Sequence, residues 1–199
     1  MTKLRSRSVL PSPAGEPHME SQKKHPRNFS FEFFPPKTPE GAQRLSTTWR
    51  QLAQLKPRFF SVTYGAGGST RERTLTTVME IRQAGFHAAP HISCIGSTRA
   101  DIAETLDLYR AQGIRHIVAL RGDLPSGAAS AGEVRYASEL VRFIRERTGD
   151  HFHIEVACYP EFHPQARSAK EDVRNFKRKV DAGAKSAITQ YFFNADAYF

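Results

Sequence analysis

Residues of the types that carry acid–base and ligand chemistry follow short apolar runs at regular intervals along this chain. Glu32 and His91 each end such a run, and Asp123 and Gln190 follow two more. Parallel β/α barrels place their chemistry at the carboxyl ends of their strands. The spacing therefore predicts a parallel α/β fold in which these side chains share one rim.

Glu32 lies between Phe31 and Phe33 at the end of an apolar segment. A carboxyl group surrounded by aromatic rings loses hydration, which disfavours its charged form and raises its pKa. We therefore expect Glu32 to act as a general acid near neutral pH. The alternative is a strand-end glutamate paired with a nearby lysine or arginine.

Asp123 ends the tripeptide Arg121-Gly122-Asp123, directly after an apolar run. The glycine allows the backbone to approach a ligand closely. An Asx turn that opens the following loop is the structural alternative. The tripeptide also occurs as an adhesion motif, but its place at the end of a barrel strand does not favour that role.

The glycine-rich segment 64–70 precedes a predicted helix. Its backbone N–H groups and the helix N-terminus could bind an anion, although flexible βα turns have similar sequences. Tyr159 and His163 fall on the same predicted rim as His91 and Gln190. A zinc site needs three or four ligands, and only the two histidines are candidates, so no metal is expected.

Three polar residues of the last predicted helix lie three and four positions apart and so share one face. These are Asp172, Asn175 and Lys179. The face is either solvated or binds the diphosphate and ribose of a nucleotide.

The composition is that of a globular protein, with 39% apolar and 25% charged residues among 199. No apolar run approaches the roughly 20 residues of a membrane span. Nucleic-acid binding predicts a basic stripe with interleaved aromatic residues, and the sequence has no such stripe. The two cysteines, Cys94 and Cys158, have no metal or redox spacing, and we expect both in strands of a protein from a reducing, cytoplasmic compartment. Segment 1–28 carries much of the formal charge of +9 and is predicted to be a disordered basic tail; Met19 is an alternative start.

Apolar runs alternate with helical patterns from residue 29 onward. Strands are predicted at 29–33, 59–63, 87–93, 115–120, 152–158 and 186–190, and bounded helices at 39–55, 133–148 and 168–182. Two further helices start after predicted caps at Ser69 and near Thr98. This alternation favours a (β/α)₈ TIM barrel of which about six βα units are present, and disfavours a doubly wound sheet. Six strands do not close such a barrel, so we expect a C-terminally truncated chain.

Several long motifs, in order, resemble the methylenetetrahydrofolate reductase family. They are Phe31–Lys37, Ser61–Ser69, His116–Pro125, Tyr159–Pro164, Lys177–Ala184 and Ile188–Phe193. The resemblance runs from about residue 29 to the end, so segment 29–199 is predicted as the catalytic domain. It implies a TIM barrel that holds FAD and passes a hydride from NADH or NADPH through the flavin to 5,10-methylenetetrahydrofolate, yielding 5-methyltetrahydrofolate in one-carbon and methionine metabolism.

The resemblance also implies roles for individual residues. Glu32 matches the general acid, Asp123 a carboxylate beside flavin and folate, Gln190 a pterin contact and Thr63 a position near the nicotinamide. The residues that match FAD-contacting positions are Tyr64, Ala66, His91, Arg121, Gly122, Asp123, Ala137, Tyr159, His163, Ala166, Asp172, Asn175, Arg178 and Lys179.

The chain departs from the family pattern at its end, where the family has further strands with folate contacts. We therefore retain the alternative of an inactive fragment or a non-catalytic flavin- or folate-binding remnant. For the full-length protein we expect a homo-oligomer with a small-molecule substrate. A Schiff-base lyase or aldolase is disfavoured because no predicted strand ends in lysine.

Overall fold

The computed structural model describes residues 28–65, 70–123 and 132–198. The predicted tail, the Ser69 cap and the glycines of the predicted anion site at 67 and 68 lie outside these ranges. Within them, six strands alternate with five α-helices. The strands are β1 Ser30–Phe33, β2 Phe59–Val62, β3 Ala88–Ser93, β4 His116–Leu120, β5 His153–Cys158 and β6 Ser186–Thr189, and the helices are α1 Pro39–Ala53, α2 Arg71–Gln83, α3 Arg99–Ala111, α4 Ala137–Thr148 and α5 Ala169–Asp181.

All six strands belong to one parallel sheet, in the order β1-β2-β3-β4-β5-β6. A doubly wound sheet reverses its strand order at a switch point, and this sheet does not. The predicted fold class is confirmed as a six-stranded parallel half-barrel with alternating helices.

The two faces of the sheet differ in polarity because successive strand residues point to opposite sides. On the helix-covered side, β2 contributes Phe60 and Val62, which are fully buried. The opposite, concave face carries Glu32, Ser61 and His91 toward the carboxyl ends of the strands. At the amino ends it carries a group that we call the floor cluster: His116, His153, Glu155 and Ser186.

The core lies between the sheet and the helices. Trp49 of α1 packs edge-on against Phe60 and Phe86, with ring centroids 6.4 and 6.0 Å away. Val78 and Ile81 of α2 are fully buried beside them. Burying each such side chain stabilises the fold by roughly 1.5–3 kcal/mol, so the helices are held mainly by this apolar layer.

Helix starts follow their capping residues. Thr98 forms a capping box with Asp101 and begins α3 as predicted. Helix α2 begins after Thr70, whose hydroxyl accepts a 2.7 Å hydrogen bond from the Gly65 N–H; Ser69, the predicted cap, lies outside the described residues.

Two helices are shorter than predicted. Helix α1 ends at Ala53 and not at residue 55, since Lys56 has a left-handed φ of 52° and Leu55 is exposed. Helix α4 begins at Ala137 and not at residue 133, because the Glu139 carboxylate accepts the backbone N–H groups just before the helix.

Burial decreases toward the β6 side of the sheet. Helix α5 has no buried residue in the described chain, and Val173 and Val180 are exposed on it. Neither described cysteine forms a disulfide; Cys158 ends β5, whereas Cys94 lies one residue beyond β3 rather than within a strand. None of the helices in the described ranges has the length and apolar character that crossing a bilayer requires.

Candidate active site

Three adjacent strands bring one acidic, one hydroxyl and one imidazole side chain together. His91 Nε2 lies 3.2 Å from Glu32 Oε2. The Ser61 hydroxyl donates a long hydrogen bond of 3.5 Å to the same oxygen. The His91 side chain is only 6% exposed, whereas that of Glu32 is 51% exposed. Glu32 is therefore the member of this group that is accessible from the open side of the half-barrel.

The predicted rise in the pKa of Glu32 was wrong. The His91 ring is the largest influence on this group and lowers the pKa of Glu32 below its ordinary value, while partial burial acts in the opposite direction. Phe31 and Phe33 do not surround the carboxyl group, because the neighbours of a strand residue point to the other face. The alternative expectation of a lysine or arginine partner was also wrong, since the partner is a histidine.

At the end of β4, the backbone folds back tightly against β3. Gly122 has φ +84°, and a Cβ there would lie 2.8 Å from Ile95 Cγ2 and 3.0 Å from Ser93 Cβ. Only glycine fits this position. The Arg121 guanidinium donates to Gln165 Oε1 at 2.7 Å, which links the β4 loop to the β5 loop.

The loop after β5 packs Tyr159 against His163, with ring centroids 4.6 Å apart. The His163 N–H donates to Asp172 Oδ2 at 3.1 Å, which joins this loop to α5. Burial raises the pKa of Tyr159, and the charge of Asp123 adds to this effect. Burial also lowers the pKa of His163, followed by the positive charge of Arg121. The charges of Arg121, Asp123 and Asp172 therefore act on both Tyr159 and His163.

The predicted polar face of α5 turns toward the sheet. Asp172, Asn175 and Lys179 are all half-buried, and Lys179 Nζ donates to the carbonyl of Ala157. Burial lowers the pKa of Lys179. Arg178 is more exposed and donates to Asn175 Oδ1 at 2.6 Å. The face is therefore only partly solvated, and nucleotide binding by it stays a prediction.

Other predicted site residues lie around this rim with fewer contacts. The Thr63 carbonyl accepts the Thr74 hydroxyl at 2.8 Å, and burial raises the pKa of Tyr64. Gln190 is exposed and its Oε1 accepts the N–H of Tyr191 at 2.9 Å. Ala137 is the first residue of α4, and the Ala166 N–H donates to the His163 carbonyl at 2.8 Å. Ala66 lies outside the described residues.

Sequence reasoning missed three polar residues of this region. Ser61 contacts Glu32, Gln165 holds Arg121, and Ser93 is buried with its hydroxyl oxygen lacking a hydrogen-bond partner among the described residues. Strand alternation signals that Ser61 faces the same side as Thr63. Nothing in the local sequence signals the contact of Gln165 with a residue on another loop. No cluster of three potential metal ligands occurs within residues 28–65, 70–123 and 132–198.

Comparison with known proteins identifies the family. A sequence model described as methylenetetrahydrofolate reductase matches residues 18–199. The chain belongs to the methylenetetrahydrofolate reductase family.

Similar family members come from bacteria and plants. The 5,10-methylenetetrahydrofolate reductases of Salmonella typhimurium and Escherichia coli are each 50% identical over 172 residues, which are 86% of this chain and 57% of each relative. Methylenetetrahydrofolate reductase (NADH) 1 of Arabidopsis thaliana is 37% identical, over 85% of this chain and 31% of that protein. The chain thus spans somewhat more than half the length of the bacterial reductases.

Solved structures with low sequence identity share the fold. A protein from Clostridium thermocellum that binds two copies of 5-methyl-5,6,7,8-tetrahydrofolic acid superposes with TM-score 0.62 at 12% identity, over 91% of this chain and 60% of that chain. A 2,3-dimethylmalate lyase superposes with TM-score 0.53 at 12% identity, over 90% of this chain and 62% of that chain. These likenesses concern the barrel architecture alone.

The rim of this methylenetetrahydrofolate reductase family member carries hydrogen-bond donors of the kind that a flavin nucleotide requires. Arg121, Arg178 and Lys179 are cations of the kind that bind a diphosphate, and the Gly122 turn gives backbone a close approach. Ser93 Oγ, beside this turn, is a buried polar atom without a hydrogen-bond partner in the described chain, which is what a polar ligand would satisfy.

Proposed function

We propose that this chain forms the flavin- and folate-binding part of an enzyme that reduces 5,10-methylenetetrahydrofolate to 5-methyltetrahydrofolate. The observation that carries the proposal is the Glu32–His91 contact at the strand ends of a chain from this family. It supplies a proton-donating group on the concave face, which ring opening of the folate needs.

The proposal assigns FAD to the side of the rim formed by β4, β5 and α5. Lys179 and Arg178 would hold the diphosphate, with Asp172 and Asn175 beside the ribose and Tyr159 and His163 lining the pocket. When bound, FAD supplies the hydride chemistry. Lys179 uses one donor on the Ala157 carbonyl, and an ammonium group has two more to offer.

The remaining polar ends would recognise the folate. Glu32 Oε1 would deliver a proton to the folate amine nitrogen while the bond from that nitrogen to the methylene carbon breaks and leaves its electron pair on nitrogen. The Asp123 carboxylate would stabilise the cationic iminium by its negative charge. Gln190, which is exposed, would contact the pterin through its amide.

FAD binding gives the first test, with two lysines of α5 as a matched pair. Lys179→Met is expected to weaken FAD binding to the purified chain about tenfold or more, because a charge-assisted hydrogen bond contributes roughly 1.5–3 kcal/mol. Lys177 forms an exposed pair with Asp181 on the same helix, so Lys177→Met should bind FAD like the unmodified chain. Quenching of flavin fluorescence measures both. Equal affinities for the two variants would contradict the assignment.

Anaerobic mixing tests the reaction itself. NADH or NADPH should bleach the absorbance of FAD bound to the chain, and methylenetetrahydrofolate should restore it. The Arabidopsis relative is named for NADH, so NADH is tried first. Glu32→Gln should abolish the restoration and leave the bleaching largely intact. Binding of FAD without either absorbance change would instead support a non-catalytic binding remnant.

A further inference from the structure

The lowered pKa of Glu32 raises a question about the source of its proton. A carboxyl group whose pKa lies below its ordinary value is ionised at neutral pH. An acid needs to hold a proton when its substrate arrives. A neighbouring group that exchanges protons near neutral pH resolves this conflict, and histidine is the side chain suited to do so.

His91 meets the geometric conditions for such a neighbour. Its Nε2 is 3.2 Å from Glu32 Oε2 and its side chain is almost fully buried. The N–H is not aligned on Oε2, nor on another acceptor in the described chain. Because the Glu32 side chain is half exposed, its carboxylate can turn into line, whereas the buried imidazole is fixed. The Tyr109 hydroxyl also donates to the His91 carbonyl at 3.4 Å and steadies the strand.

We propose that His91 is the positioning residue of Glu32 and shares its Nε2 proton with Oε2. This inference rests on the proposed function and adds a residue role to it. The Nε2–H bond of the His91 imidazolium breaks as an Oε2–H bond forms on the ionised Glu32 carboxylate, and the carboxyl group so formed gives a proton to the folate amine nitrogen. The imidazole is left neutral and regains its proton from solvent.

Among the groups that face the Glu32 carboxylate, His91 has the strongest effect on its protonation. Ser61 faces Glu32 from β2, but its hydroxyl gives only a long contact of 3.5 Å and does not titrate in this range. No other charged group of the described chain affects Glu32 appreciably. Oε1 accepts no hydrogen bond from the described residues, so Oε2 receives the proton and Oε1 remains free for the substrate.

A carboxyl NMR titration of the 199-residue chain tests the sharing without any cofactor. His91→Asn should raise the apparent pKa of Glu32 by about one unit, because an opposite charge within hydrogen-bond reach lowers a carboxyl pKa by about 1–3 units. His116→Gln is the matched control, since it alters the histidine of a second Glu–His pair at the floor. An unchanged Glu32 pKa in folded His91→Asn would overturn the proposal, as would an equal shift in His116→Gln.

A second variant separates proton donation from hydrogen bonding. His91→Gln keeps an N–H donor in place of Nε2 but cannot release a proton. In the folate half-reaction it should be at least tenfold slower than the unmodified chain near neutral pH and recover as the pH falls and solvent protonates Glu32. A pH profile identical to that of the unmodified chain would overturn the relay. A chain inactive in every form would refute the proposed function, and the NMR titration would still show whether His91 holds the Glu32 carboxylate in its charged form.

Discussion

Two Glu–His contacts of nearly equal length lie at opposite ends of the same sheet. At the rim, His91 and Glu32 approach to 3.2 Å, with the histidine buried and the carboxylate about half exposed. At the floor, His116 and Glu155 approach to 3.1 Å, with the carboxylate 10% exposed and the histidine 24% exposed. The distribution of exposure between the partners is reversed.

The floor pair is also embedded in more contacts. The His116 ring packs edge-on against Phe59 and His153, with centroids 4.6 and 5.0 Å away. His153 Nε2 lies 2.7 Å from the Ser186 hydroxyl. The pKa of Glu155 is lowered on balance: burial, the largest influence, raises it, but hydrogen bonds from His116 and Ser186 and the charges of His116 and His153 together outweigh burial.

The comparison teaches that exposure, rather than distance, distinguishes the two pairs. The floor carboxylate is poorly hydrated and depends on its partner, so this pair holds β4 to β5. A half-exposed carboxylate is hydrated and accessible to a ligand, so the rim pair contributes little to stability. We therefore expect substitutions at the two ends to affect different properties.

The largest effect should come from deleting the two carboxylates. Glu155→Ala should lower the free energy of unfolding by about 2–3 kcal/mol, because it removes the nearly buried carboxylate that pairs with His116 through a hydrogen bond to a charged group. Glu32→Ala should change it by no more than about 1 kcal/mol. Urea unfolding near neutral pH measures both. Glu155→Gln, which keeps a hydrogen-bond acceptor, should be milder than Glu155→Ala, and equal losses at the two glutamates would remove the distinction.

The next largest effect on stability concerns Arg145, which hydrogen-bonds to backbone carbonyls near the floor end of the sheet. Arg145 donates to the carbonyls of Gly149, Phe152 and Gly183 at 2.8–3.0 Å. Arg145→Lys should cost about 2 kcal/mol, since an ammonium group cannot reach all three carbonyls with the geometry of a guanidinium. Arg147 forms an exposed pair with Asp107, and Arg147→Lys should stay within about 0.5 kcal/mol. Thermal unfolding of both variants would show whether the floor end is fastened in this way.

The serine beside each Glu–His pair, Ser186 at the floor and Ser61 at the rim, gives a smaller difference in stability. Ser186→Ala should destabilise the protein by about 1 kcal/mol, because its 2.7 Å contact with His153 is a good hydrogen bond. Ser61→Ala should cost less than about 0.5 kcal/mol, since its contact with Glu32 is 3.5 Å long. Urea midpoints of the two variants suffice, and a larger loss at Ser61 would reverse the expected order.

The smallest effect is on the pH dependence of stability. Burial, followed by the positive charge of His116, lowers the pKa of His153 from its ordinary value of 6.5. Its contribution to stability is therefore fully present above about pH 6.5 and is lost as the pH falls through the lower, folded-state value. His153→Gln should flatten the decline in unfolding free energy between about pH 7 and pH 5. An unchanged slope would show that the floor does not titrate there.

Much of the fold followed from local patterns in the sequence. Each of the six strands lies within one or two residues of its predicted bounds because apolar runs, prolines and glycines mark strand ends locally. Helix ends were less predictable. Leu55 continues the apolar period of α1, but the left-handed φ of Lys56 ends the helix first, and no sequence pattern reveals that angle at a lysine.

The position of Glu32 and His91 on one rim was predictable from the sequence, but the electrostatics of this pair were not. Glu32, His91 and Asp123 were found from their places at strand ends. The sign of the Glu32 pKa shift was wrong because it depends on residues of two other strands, Ser61 being 29 positions away in the chain. Sequence neighbours of a strand residue face away from it, so the aromatic flanks of Glu32 were misleading.

The strand order has a consequence for how the chain folds. Every strand pairs with the strand that precedes it in the chain, always in parallel. Each pairing therefore spans only one intervening β/α unit, so the chain entropy lost in closing it is modest, and no pairing in the described sheet joins distant parts of the chain.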